Sequence, residues 1–227
     1  MKYLAVYFII MKQIIFHETE AYKRMNASHL NGAYYYAKEI YENIIPKIRT
    51  KRPFVLLHIT GKCFDNAIVF VHNNLNPERY LWMLPYKNLI FVCSQESTMK
   101  FMIDAFPKAH TIYLPLSVDV DYVKKFKVKR KTKDTAYVGR AGKPNVKDLP
   151  KDIDYLSGLE REDLLKAMAK YKNIYAVGRC AIEGKILDCN ILSFDERFPD
   201  TEIWQILDNK DVIEYFQQKL DEIDDKF

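Results

Sequence analysis

Short unbroken runs of apolar residues alternate along this chain with stretches whose apolar residues recur every three or four positions. A strand without polar alternation is buried on both faces, and a parallel sheet covered by crossover helices is the arrangement that buries it. The strand-like runs are Gln13 to His17, Phe54 to Ile59, Ala67 to His72, Leu89 to Cys93, Thr111 to Leu114, Thr135 to Val138, Ile174 to Val177 and Asn190 to Phe194. Helical patterns lie between them. Ala33 to Ile48 carries Tyr36, Ile40, Ile44 and Ile48 on one stripe, and Ser94 is placed to cap a helix ending near Phe106. Arg161 to Tyr171, Ala181 to Leu187 and Asp211 to Ile223 complete the set, the last with Val212, Tyr215, Phe216 and Leu220 inward. The alternation predicts an α/β chain of two subdomains with parallel sheets.

A basic run of Lys124, Lys125, Lys127, Lys129, Arg130, Lys131 and Lys133 interrupts the alternation midway. It has little apolar content and reads as a linker over 121–134, between an N-terminal domain of 1–120 and a C-terminal domain of 135–227 that includes the last helix. The 227 residues are enough for one large core or two small ones, and the net charge of +5 suits an anionic ligand. The lysine run lacks interleaved aromatics and any nucleic-acid motif, so a nucleic-acid binder is the last of three readings. Cys63, Cys93, Cys180 and Cys189 have neither zinc nor Cys-x-x-Cys spacing and read as reduced thiols of a cytoplasmic protein. Tyr3 to Ile10 is apolar but too short to span a bilayer, and Met11 is a second candidate start. Asp119 and Asp121 lack a third ligand, so no metal site is expected.

Two Gly-Arg pairs carry the chemistry. Gly139-Arg140 follows the strand ending at Val138, and Gly178-Arg179 follows the strand ending at Val177, with Glu183 shortly after. A glycine at a strand exit lets backbone N–H groups approach a phosphate, and arginine adds charge and a fork of donors. The pattern fits a nucleotide-diphosphate site at the carboxyl ends of parallel strands. A plain strand exit into a solvated loop is the alternative for each pair. His17, His29 and His58 read as core or rim residues, whereas His72 ends a strand and precedes Asn73 and Asn74.

Three stretches resemble the GT-B glycosyltransferases, in particular the family 4 group. They are Phe91 to Glu96 leading to Ile112 to Asp119, then Tyr137-Val138-Gly139-Arg140 with its nearby lysines, then Gly178-Arg179 through Glu183 to Leu192. His72-Asn73 resembles the acceptor-side element of that family. The resemblance implies two Rossmann-like subdomains of compact GT-B type with an interdomain cleft, and a nucleotide-diphosphate sugar as co-substrate, with no obligatory metal and no other cofactor. It implies donor binding by Gly139, Arg140, Lys143, Gly178, Arg179 and Glu183, with Arg140 and Lys143 on the diphosphate and Glu183 on the ribose. His72 would be the catalytic or sugar-contacting residue and Asn73 an acceptor-side contact. The acceptor is left open, the lysine run being suited to an anionic one. Three positions depart from the family pattern. Asn145 stands where a lysine is usual, Tyr175 where the first glutamate is usual, and Asp188 where a glycine is usual. A degenerate transferase that binds nucleotide without turnover is the second reading.

Overall fold

The computed structural model describes residues 14–16, 32–56, 63–71, 77–139 and 149–225. The strands are β1 Ile14–Phe16, β2 Phe54–Leu56, β3 Ile68–Val71, β4 Ile90–Cys93, β5 His110–Tyr113, β6 Lys133–Val138, β7 Asp154–Leu156, β8 Tyr171–Tyr175 and β9 Asn190–Leu192. The α-helices are α1 Gly32–Glu39, α2 Glu96–Ala105, α3 Val120–Lys124, α4 Arg161–Met168, α5 Arg179–Ile186 and α6 Asn209–Asp224. No described helix is long and apolar enough to cross a membrane.

Among the described residues every strand pair is parallel, as the unbroken apolar strands β2, β3 and β4 lead one to expect. Five strands form one sheet in the order β1-β2-β3-β4-β5, and four form a second in the order β7-β6-β8-β9. The fold is therefore α/β and Rossmann-like in its units. The chain divides into two compact units, Leu116–Val212 and the remainder, so that α6 from Ile213 onward belongs with the first sheet.

In the first unit both faces of the sheet are packed. Val55, Val69, Val71, Phe91 and Cys93 face one way, against Met102 and Phe106 from the α2 region. Phe91 and Phe106 lie 4.7 Å apart between ring centroids. On the other face Phe70 stacks on Phe54 and meets Phe216 of α6 edge-on at 5.8 Å. Val212, Phe216, Leu220 and Ile223 of α6 are buried, and Tyr215 is 39% exposed. Tyr215 thus points outward, contrary to the sequence expectation, because the buried residues repeat at four and three positions and it falls beside that stripe. The expected Ser94 cap is also absent. Gln95 is the N-cap of α2, no side chain caps it, and Ser94 is itself buried.

In the second unit α3, α4 and α5 share one core with Ala136, Val138, Ile174, Ala176 and Ile191. α4 is shorter than its pattern suggests, and Tyr171 opens β8 instead of closing the helix. The Lys131 ammonium explains the stop: it donates to the carbonyls of Ala169, just after α4, and Leu187, just after α5. One residue of the basic run therefore closes two helices, whose last carbonyls would otherwise lack donors. β7 carries too few apolar residues to stand out in the sequence. It exists because β6 offers it a ladder, with Tyr137 opposite Tyr155.

Candidate functional site

The strand order of the second sheet reverses at one place. From β6 the chain steps to β7 on one side, then returns past β6 to β8 and on to β9. Such a reversal opens a crevice at the carboxyl ends of the two central strands, where α/β folds take their ligands. Gly139 follows β6, and Gly178 lies three residues beyond the end of β8, its neighbour in the sheet. The two glycines thus flank the reversal.

Each glycine is required by its surroundings. A Cβ on Gly139 would stand 2.6 Å from the Tyr137 hydroxyl oxygen, so no larger residue fits there unless the tyrosine shifts. Gly178 has φ 63° and ψ −137° as the N-cap of α5, a conformation that L side chains rarely adopt. Gly184 sits deeper in α5, where a Cβ would meet Ile174 Cδ1 at 2.3 Å and Ile191 Cδ1 at 2.8 Å. Glycine there leaves those two isoleucine side chains where they are against the helix, and the neighbouring Glu183 has 0% exposure.

Glu183 is held by two arginines. Arg161, the first residue of α4, meets both carboxylate oxygens through Nη1 and Nη2. Arg179, the first residue of α5, donates from Nε to Oε1 at 2.7 Å. The arginine side chains are 21% and 19% exposed. Helical side chains lean toward the N-terminus, so Glu183 points back over the first turn of α5 and meets Arg179 four residues earlier. No side chain caps α4 or α5.

An aromatic row runs along the same edge. Tyr137 lies opposite both Tyr155 and Tyr175 in the ladder. Its ring centroid is 5.5 Å from that of Tyr155 and 5.3 Å from that of Phe194, and Phe194 also touches Tyr175. Past β9, Arg197 holds the buried Asp195 through two nitrogens while its side chain stays 67% exposed. The carboxyl edge of this sheet thus gathers cations and aromatic rings.

Of the residues singled out in the sequence, Gly139, Gly178, Arg179 and Glu183 come together at this edge. His72, Asn73, Arg140 and Lys143 lie outside the described residues, as do His17, His29, His58 and the segment from Met1 to Met11. Glu183 is enclosed by guanidinium groups and presents no exposed oxygen to a ribose. Tyr175, where the family has its first glutamate, packs its ring on Phe194. Asp188, where the family has glycine, adopts φ 60° just past α5. There the Cys189 N–H donates to Gly184 and the Asp188 N–H to Lys185, closing the helix as glycine commonly does. Sequence reasoning missed Arg161. Its one signal was an arginine at the first residue of a helix, where the dipole disfavours a cation.

Fold and edge together define a parallel α/β chain with a cationic strand-order reversal in its second unit. Comparison with protein-family models, curated proteins and solved structures finds no match for it.

Proposed function

We propose that the second unit binds a nucleotide-diphosphate sugar at the carboxyl ends of β6 and β8, and that the protein is a cytoplasmic glycosyltransferase of GT-B type. The observation that carries the reading is the reversal of strand order between β6 and β8, with Gly139 and Gly178 at the two exits. A diphosphate needs close backbone approach and fixed positive charge, and the glycines with Arg179, Arg140 and Lys143 supply both. In the transfer the bond from the anomeric carbon to the diphosphate oxygen breaks, and a bond to an acceptor hydroxyl oxygen forms. The acceptor proton passes to a base, for which His72 is the candidate, and the nucleoside diphosphate leaves. Cations on the departing diphosphate stabilise its growing charge without a required metal. Asn73 would contact the acceptor.

The binder without turnover remains the second reading, favoured by Tyr175 in place of a glutamate and by the enclosure of Glu183. One experiment separates the two: incubation with UDP-, GDP-, ADP- and TDP-sugars, following melting temperature and nucleotide release. A shift with release supports the transferase, a shift alone supports the binder, and no shift with any sugar nucleotide removes both.

A further inference from the structure

We propose that the face of the second sheet turned away from α3, α4 and α5 binds a neutral oligosaccharide. Sugar rings stack on Tyr155, Tyr175 and Phe194, and Asn173 and Asn190 pair with sugar hydroxyls. The proposal needs no nucleotide and stands apart from the reading above. Successive residues of a strand point to opposite faces. Ala136, Val138, Ile174 and Ile191 share the core with α3, α4 and α5, so Thr135, Tyr137, Asn173, Tyr175, Asn190 and Leu192 lie on the other side. The register sets them in two rows across the strands. Thr135, Asn173 and Asn190 form a polar row, in which Asn190 donates to Asn173 Oδ1 at 3.2 Å and Asn173 donates to Thr135 Oγ1 at 3.4 Å. Two residues further along, Tyr155, Tyr137, Tyr175 and Leu192 form an apolar row. Tyr137 is fully buried and seats the outer rings. Tyr155, 44% exposed, lies against it on one side, and the half-buried Phe194 stands edge-on to Tyr137 and Tyr175.

Asparagine is depleted in strands, and a face that met only water would more readily carry threonine there. Two asparagines paired across β8 and β9 therefore mark a choice made for something other than sheet stability. Their amides offer both donor and acceptor, which a hydroxyl needs. An aromatic face carries negative charge density and attracts the C–H groups of a sugar ring. Adjacent strands lie about 4.8 Å apart, close to the length of one ring along a glycan chain, so consecutive sugars can meet consecutive side chains of each row. Charge decides against a nucleic acid. The four strands carry four charged residues, which form two pairs: Lys133 with Asp154 at 2.8 Å and Lys172 with Asp134 at 3.4 Å. These strands thus offer no unpaired cation to phosphates, and an uncharged ligand is their complement.

The test is titration calorimetry of the whole chain with cellohexaose, maltohexaose, xylohexaose, mannohexaose and chitohexaose, and with single-stranded oligothymidylate, each at low and high salt. At least one hexasaccharide is expected to bind, with an affinity that salt leaves unchanged because no ion pair forms. Tyr155→Ala should weaken it by roughly two- to tenfold, and Tyr155→Phe, which keeps the ring, should retain most of the binding. Asn190→Ala should also cost roughly two- to tenfold, as loss of a neutral hydrogen bond does. Asn190 is exposed, so this variant carries the decision if Tyr155→Ala fails to fold. Absence of binding by all five sugars at millimolar concentration would overturn the proposal. So would a folded Tyr155→Ala or Asn190→Ala that binds as well as wild type. Oligothymidylate held more tightly than every hexasaccharide, through Tyr155 and with a steep salt dependence, would assign the face to nucleic acid and overturn it as well. Hexasaccharide binding through Tyr155 without a response to any sugar nucleotide would leave this face standing and remove the proposed function.

Discussion

The two sheets answer the same sequence pattern in opposite ways. In the first unit the strands lie side by side in chain order, and among the described residues the buried Tyr36, Cys63 and Cys93 are held in their neutral forms by burial. Burial pushes the Cys93 thiol up to about 12 and raises the Tyr36 phenol above its ordinary range. In the second unit the order reverses, and the group buried at the reversal is Glu183, held by two arginines. A sheet covered on both faces by apolar side chains excludes charge. A sheet whose order reverses has a place where helix starts converge, and there the chain has invested a buried charge. Ion pairing is present in both units, but its setting differs. Arg52 grips Asp224 with two nitrogens in the first unit, where the carboxylate is 45% exposed.

The sharpest way to break this comparison is to remove one carboxylate from each pair. Glu183→Ala strands two arginines and should cost about 3–5 kcal/mol in urea unfolding, as loss of one partner of a buried pair does. Asp224→Ala should cost at most about 1 kcal/mol. Equal losses would mean that the two pairs have the same standing.

Alkali tests the neutral interior of the first unit. The Cys93 thiol rises from 9.0 to about 12, so the stability it contributes is complete below pH 9 and is lost as pH climbs toward 12. The loss should reach a few kcal/mol at the upper end, and Cys93→Ala should flatten that limb of a stability-against-pH curve. An unchanged limb would show that Cys93 is already open to water.

Gly178→Ala forces an alanine into φ 63° and should destabilise by about 1–3 kcal/mol, read from the melting temperature. It should also weaken any nucleotide, since the α5 start would move. A variant of normal stability would mean that this exit relaxes freely and that the strained turn has no part in the site.

Asp188→Gly is the smallest change and has the opposite sign. Glycine adopts φ 60° without the strain of a side chain, so this variant should gain about 0.5–1 kcal/mol. The pair that Asp188 makes with Lys127 is exposed and offsets little of that gain. A loss of stability would mean that the Lys127 contact outweighs the backbone.

The sequence by itself determined the alternation, the parallel character of the sheets and the place of Gly139 and Gly178 at neighbouring strand ends. These follow from local rules, since an unbroken apolar run implies burial on both faces and a glycine after it implies a tight exit. The Arg179–Glu183 pair was not legible in the sequence, whose pattern begins that helix at Ala181 and assigns Glu183 to a ribose. The helix starts two residues earlier and brings the two side chains onto one face. Only the tertiary structure decided the strand order, the existence of β7 and the partnership of Arg161 with Glu183. Those two residues are 22 apart in sequence and meet because a crossover sets the starts of α4 and α5 side by side. The tertiary structure also turned Glu183 inward, where Arg161 and Arg179 cover its carboxylate and leave it with 0% exposure. Local pattern fixes which residues form an element, while packing between distant elements fixes what a charged side chain can touch.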